Sequence, residues 1–331
     1  MQPAPAPAPP PPATRELTSA EVSAYARDGF VIVRGLFSSA EADVLRTTIA
    51  RDGVMEGKVM AMQDGTGRSA RLSLWHTVQP RTCYGALAAS RRMVHAVRRL
   101  LSNVGGGESP YHIHTKIILK EPRTGALFQP HSDFGYWYQC GTLNPHSMMS
   151  VVVAVDAADA ENGCLQVLAG SHALGRLEHG HAGEQAGAEP EAFELARARL
   201  PTVVCALAPG DVLFTHSNLL HWSGPNTSDR WRRAIIVAFN DASNPPTERG
   251  RGLIPMPHAL EEVDDARLLE VGPAGFDTEA GCAEATTWLS HEKNVETFRR
   301  GGDFSEAAVK FAARADVAGA APASEPAARG K

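Results

Sequence analysis

The sequence predicts a mainly β protein, a sandwich or barrel with helices packed against it. Two patterns carry this. From Tyr111 onward, short apolar, β-branched runs follow one another with turn residues between them, and helical periodicity is concentrated near the start of the chain. The length of 331 residues and the apolar content of 43% allow one large core.

The elements follow in order. Residues 1–15 are rich in Pro and Ala and read as an extended or disordered arm. Thr18 with Glu21 three positions on has the spacing of a capping box, and the helix it opens should end near Gly29. Phe30–Phe37 (FVIVRGLF) reads as a strand. Ser38 or Ser39 starts a second helix carrying Val44, Leu45 and Ile49, and a third covers about Arg91–Leu101. The glycine triplet Gly105–Gly107 lacks the partners of a phosphate-binding motif and reads as a loop. Strands are then expected in YHIHTKIILKE from Tyr111, MMSVVVAVD from Met148, CLQVL from Cys164, TVVCAL from Thr202, DVLFTH from Asp211 and RAIIVAFND from Arg233. Between Leu177 and Arg199 a polar insertion with a helical stretch is expected over the barrel mouth. The expected organisation is a single domain over residues 16–306 with its β core at about 111–244, then a flexible tail over 307–331 rich in Ala, Gly and Pro.

The bulk numbers exclude several classes. The formal net charge of −5 offers no basic surplus for nucleic acid. No run approaches the roughly 20 apolar residues of a membrane span, and the N-terminus lacks a signal peptide's charged and apolar regions. The five cysteines (Cys83, Cys140, Cys164, Cys205 and Cys282) form no CxxC pair, so reduced core thiols and a cytoplasmic location are expected. A small-molecule substrate is the remaining partner class, and oligomeric state is not readable from the chain.

Chemistry concentrates in two places. In His131-Ser132-Asp133, residues two apart on a strand share a face, so an imidazole and a carboxylate can reach one metal. Alone, such a pair is more often a surface histidine near a capping acid. His221 follows the apolar Leu219-Leu220, close to the start of the penultimate strand of the β region, and Arg232 stands eleven positions after it, at the start of the last strand. Two histidines and one carboxylate make the facial triad that binds non-haem iron(II) and leaves open positions for O₂ and a chelating co-substrate. For 2-oxoglutarate, the far carboxylate needs a cation, and arginine's fork suits it better than lysine. Tyr136 and Trp137, just after the first motif, are placed at the pocket rim as candidate substrate contacts, with lid packing as the alternative.

These residues sit among DGFVIVRGLF, HSDF, NGCLQVLAGSH, APGDVLF and HWSGPNTSDRWRRA. Over about Thr18–Asn244 the chain resembles the phytanoyl-CoA dioxygenase (PhyH) family, which includes the ectoine hydroxylases. The resemblance implies a double-stranded β-helix, the cupin-like jelly roll. It implies an iron(II)- and 2-oxoglutarate-dependent dioxygenase that hydroxylates an unactivated C–H and releases succinate and CO₂; with no acyl-CoA-specific cluster in the chain, a small polar metabolite is the expected substrate. It makes His131, Asp133 and His221 the iron ligands and Arg232 the holder of the 2-oxoglutarate carboxylate, with Ser223 as a helper and Lys116 as another co-substrate contact. Halogenating relatives carry a small residue in place of the carboxylate, so the intact Asp133 implies hydroxylation or another oxidation. Residues 245–306 lie beyond the resemblance and have no assigned role.

Other readings stay open. His112, His114 and Lys116 are expected on one face of a strand, and an HxH pair binds metal in cupins, so a cupin-type metalloenzyme using His112 and His114 is one alternative. His114 is also a candidate substrate contact. A jelly-roll binding protein that retains metal without turnover is another alternative. Trp75 and His76 are expected to pack in the core or line the pocket. His146, His172, His179 and His181 are expected in solvated loops.

Overall fold

The computed structural model describes residues 15–123, 126–248, 253–276, 282–298 and 301–318. Residues 1–14 of the expected arm therefore lie outside the described residues. The strands are β1 (Phe30–Val33), β2 (Met60–Gln63), β3 (Ser69–Trp75), β4 (Pro110–Lys120), β5 (Phe128–His131), β6 (Met148–Ala154), β7 (Leu165–Leu168), β8 (His179–Ala182), β9 (Gln185–Ala188), β10 (Thr202–Val204), β11 (Val212–His216), β12 (His221–Ser223) and β13 (Arg232–Asp241).

They form a seven-stranded antiparallel sheet in the order β1-β11-β6-β13-β4-β3-β2 and a four-stranded antiparallel sheet in the order β10-β7-β12-β5, with β8 and β9 as a separate hairpin. Through β4–β7 and β10–β13 the chain passes repeatedly from one sheet to the other. This is the expected jelly roll, with its longest strands, β4 and β13, side by side in the large sheet.

Alternation along the strands sorts the core into two layers. Val152, Ala154, Leu213 and Ala234 face inward, towards Val167 and Leu219 of the small-sheet side. Val151, Val153, Phe214, Ile235 and Val237 face outward and are covered by Tyr25, Leu45, Leu87, Val97 and Leu101 of the helices. The helices therefore pack on one sheet, as expected. The first, Ser19–Asp28, has the Thr18–Glu21 capping box in place: the Glu21 N–H donates to Thr18 Oγ1 (3.2 Å) and the Thr18 N–H to Glu21 Oε2 (2.7 Å). It stops at Gly29, whose φ of +80° is left-handed and whose missing Cβ leaves room for the His172 ring.

Several expectations need correction. The strand from Phe30 ends at Val33, because Gly35 turns the chain with φ +58°. The insertion after Leu177 holds the expected helix, Pro190–Arg197, and also the β8–β9 hairpin, tied to β5 by the Gln129 N–H donating to Gln185 Oε1 (3.1 Å). The expected tail contains a helix, Ser305–Ala318, held by burial of Ala308 and Ala312 and by Phe311 packing edge-on to Phe193 and Trp222. Small residues read as disorder are here the means of close packing. Residues 319–331 lie outside the described residues.

All five cysteines are buried and free, as expected. No helix among the described residues is long and apolar enough to cross a membrane.

Candidate active site

The triad assembles between strands and a short helix. His131 ends β5 and is paired in register with His221 at the start of β12, which brings the two rings to 4.3 Å between centroids. Asp133 does not continue the strand, contrary to the same-face expectation. Ser132 is extended (φ −117°, ψ 145°) and Asp133 opens the helix Asp133–Trp137. The turn still delivers the carboxylate: His131 Nε2 lies 3.9 Å from Asp133 Oδ1, and one ligand atom from each of the three residues falls within 4.8 Å of the others.

Backbone carbonyls set the histidine tautomers. His131 Nδ1 lies 2.6 Å from the carbonyl of Gln129 and His221 Nδ1 lies 3.0 Å from that of Leu219. A nitrogen facing a carbonyl must carry the proton, so each Nε2 keeps a free lone pair. Asp133 is fixed by the Ser150 hydroxyl on Oδ2 (2.6 Å) and the Tyr136 hydroxyl on Oδ1 (2.8 Å). Burial, then the charge of His221, pushes His131 down to about 3, so its imidazole is neutral at pH 7. Burial opposes ionisation of Asp133, but His221, Lys116, His131 and the Ser150 bond outweigh it and hold the carboxyl below the usual range. Two imidazole Nε2 atoms and a buried carboxylate converging on one point fit iron(II).

His179 supports this loop and was missed as a loop residue. It sits on β8, buried, and takes the Ser132 N–H on Nε2 (2.9 Å) while its Nδ1–H donates to the Leu177 carbonyl (2.9 Å). Gly135 lets the ring approach, since a Cβ there would stand 2.1 Å from it. Burial pushes His179 down to about 4, which keeps Nε2 an acceptor.

A second cluster lies at the start of β13. Arg232 is buried and donates from Nε (3.1 Å) and Nη2 (2.5 Å) to the Gly163 carbonyl. Gly163 has φ +73°, and a Cβ there would lie 2.4 Å from the Gly224 carbonyl, so the ENG turn requires glycine. Arg232 is paired in register with Lys120 of β4, which donates from Nζ to Ser223 Oγ (2.8 Å) and to the Gly224 carbonyl. No carboxylate pairs with either cation among the described residues. Burial, then the Arg232 charge, lowers Lys120 well below the ordinary lysine range, and burial brings Arg232 down to about 10. Two buried cations side by side without an anion are costly and mark a place for one. Lys120 escaped the sequence reading. Lys116, proposed there, lies elsewhere, because register sets Lys120 opposite Arg232 and Lys116 opposite Ile236.

Lys116 lines a cavity beside the triad together with His131, Tyr136, Trp137, His114 and His76. The remaining wall comes from Leu72 and Leu74 of β3 and from Leu253, Leu289 and Asn294, within the stretch that had no assigned role. Trp75 and His76 divide: Trp75 is buried against Tyr84, Phe276 and Trp288, while His76 reaches the cavity. His112 does not share the face of His114. A bulge at Ile113 breaks the β4–β13 register between Ala238 and Phe239, so His112 turns to the Thr115 hydroxyl (2.9 Å) and the Phe239 ring. The HxH pair therefore does not converge, which removes the geometry of the cupin-type alternative.

The family model for phytanoyl-CoA dioxygenase (PhyH) matches residues 25–234. The ectoine dioxygenase of Bordetella bronchiseptica is 23% identical over 278 residues, covering 77% of this chain and 88% of that one. The L-proline trans-4-hydroxylase of Streptomyces griseoviridis is 22% identical over 245 residues, covering 67% and 86%. Among solved structures, EctD from S. alaskensis with bound Fe superposes with a TM-score of 0.60 at 22% identity, over 75% of this chain and 88% of that one. The chain belongs to the phytanoyl-CoA dioxygenase family of iron(II)- and 2-oxoglutarate-dependent oxygenases.

Proposed function

We propose that this protein hydroxylates an unactivated C–H bond of a small metabolite, with His131, Asp133 and His221 holding iron(II) and Arg232, Lys120 and Ser223 holding the far carboxylate of 2-oxoglutarate. The observation that carries this reading is the pair of buried cations, Arg232 and Lys120, left without a carboxylate partner. Bound iron(II) and 2-oxoglutarate supply the oxidant, with one atom of O₂ entering succinate, the other the substrate hydroxyl, and CO₂ leaving.

The chain's own residues supply geometry. Gln129 and Leu219 orient the two imidazoles through their carbonyls, and Ser150 and Tyr136 hold both oxygens of Asp133. Such outer bonds fix ligand direction before the metal arrives. Gly163 and Ser223 position the cations that orient the co-substrate, and Leu72, Leu74, Leu253 and Leu289 keep the substrate side of the cavity apolar.

Anaerobic titration with iron(II) and 2-oxoglutarate tests this directly. A weak visible charge-transfer band is expected in the native protein and should vanish in Asp133→Ala and His131→Ala. A native protein without the band that makes no succinate in air would overturn the reading. Iron binding retained in both variants would place the metal elsewhere.

A further inference from the structure

Lys116 is the single lysine among the described residues lining the cavity beside the triad. Its charge acts on Asp133, His131 and His114, yet no hydrogen bond or ion pair to a described residue holds its ammonium. In the loaded site the metal's charge is met by Asp133 and the near carboxylate of 2-oxoglutarate. The far carboxylate is met by Arg232 and Lys120. None of these anions falls to Lys116.

Two buried nitrogens in the same cavity lack partners: His76 Nε2 and His114 Nε2. His76 Nδ1 lies 2.9 Å from the Ile113 carbonyl and donates to it, so His76 Nε2 is an acceptor. Burial keeps both imidazoles below the ordinary histidine range, with Lys116 adding to the effect at His114. They offer hydrogen bonds, not charge. No Asp or Glu appears among the described lining residues, whose remaining surface is largely apolar. A cationic substrate would find aromatic faces at Tyr136 and Trp137, but it would meet the Lys116 ammonium without a carboxylate to offset it.

We propose that the substrate carries an oxyanion, a carboxylate or a phosphonate, on an apolar body: Lys116 receives the anion, and His114 and His76 bond polar groups beside it. This rests on the oxygenase reading above and extends it to substrate class.

The test uses anaerobic protein loaded with iron(II) and 2-oxoglutarate and titrated by calorimetry. The probes are linear alkyl carboxylates of four to ten carbons, the matching phosphonates, primary amides and alkylammonium ions. The charge-transfer band is followed in parallel, so displacement of 2-oxoglutarate is visible. One of the two anion series should bind at least tenfold tighter than its amides, and which one identifies the oxyanion. Lys116→Met should remove that preference, and Lys116→Arg should restore it, both with the band intact. Amides or ammonium ions binding as well as the anions would overturn the proposal. So would binding by neither anion series, or a preference that survives Lys116→Met. A Lys116→Met variant that instead needs more 2-oxoglutarate would return this lysine to the co-substrate. If the native protein shows no band at all, the failure belongs to the oxygenase reading and not to the substrate class.

Discussion

The cation cluster at the start of β13 and the cation of the cavity beside the triad are held in different ways. At the one site Arg232 and Lys120 are buried and tied to fixed oxygens, the Gly163 and Gly224 carbonyls and Ser223 Oγ. At the other, Lys116 is half-buried and untethered, and part of the facing wall comes from Leu253, Leu289 and Asn294, beyond the residues matched by the family model. The first arrangement is prebuilt for one ligand, since every donor direction is set before binding. The second fixes one charge and leaves shape to a separately built wall. On the proposed reading, co-substrate binding falls to the framework strands, and the added segment shapes the substrate side.

The largest expected effect falls at the tethered site. Arg232→Ala should weaken 2-oxoglutarate binding roughly thirtyfold or more, since removing one partner of a buried charge pair costs about 2–5 kcal/mol. Iron binding should survive, and anaerobic titration of the charge-transfer band reads both. An unchanged 2-oxoglutarate requirement would remove Arg232 from this role.

Lys120→Met should weaken 2-oxoglutarate by about tenfold, a loss of about 1.4 kcal/mol, and also alter the protein without ligands. Lys120 titrates lower in the folded chain than in the unfolded one. Between those two values the unfolded chain binds more protons, so the lysine's contribution makes stability rise with pH up to its unfolded pKa near 10.4. Thermal melts of the metal-free protein from neutral to alkaline pH should show this rise, and Lys120→Met should flatten it. An equal slope in both proteins would mean that the burial of Lys120 is relieved in solution.

A separate effect, on the metal and not on the co-substrate, is expected behind the metal ligands. Ser150→Ala and His179→Ala each remove a bond to the metal loop and should lower iron(II) affinity about 10- to 100-fold. Equal affinity in all three proteins would show that the loop holds its geometry without them. The smallest change belongs to the far wall. Asn294→Leu should alter binding among the alkyl probes by a few-fold and leave the 2-oxoglutarate titration alone. A shifted 2-oxoglutarate titration would blur the division between the two sites.

The sequence made the short-range features legible. The HxD pair, His221 and Arg232 stand out by type and spacing, and the strands and capped helices stand out by period. What it concealed depends on register and packing. Lys120 gains meaning only because β4 sets it opposite Arg232, and one bulge turns His112 away from His114. His179 reads as a loop residue until the β8–β9 hairpin brings it against Ser132. The helix from Ser305 has the composition of a tail, and contacts such as Phe311 with Trp222 hold it in place.

On the proposed reading, two lysines four residues apart on β4 serve two different anions. Anaerobic titration of 2-oxoglutarate into iron-loaded native protein, Lys120→Met and Lys116→Met separates them. The expected dissociation constant is raised about tenfold in Lys120→Met and unchanged in Lys116→Met. The reverse order would contradict that reading.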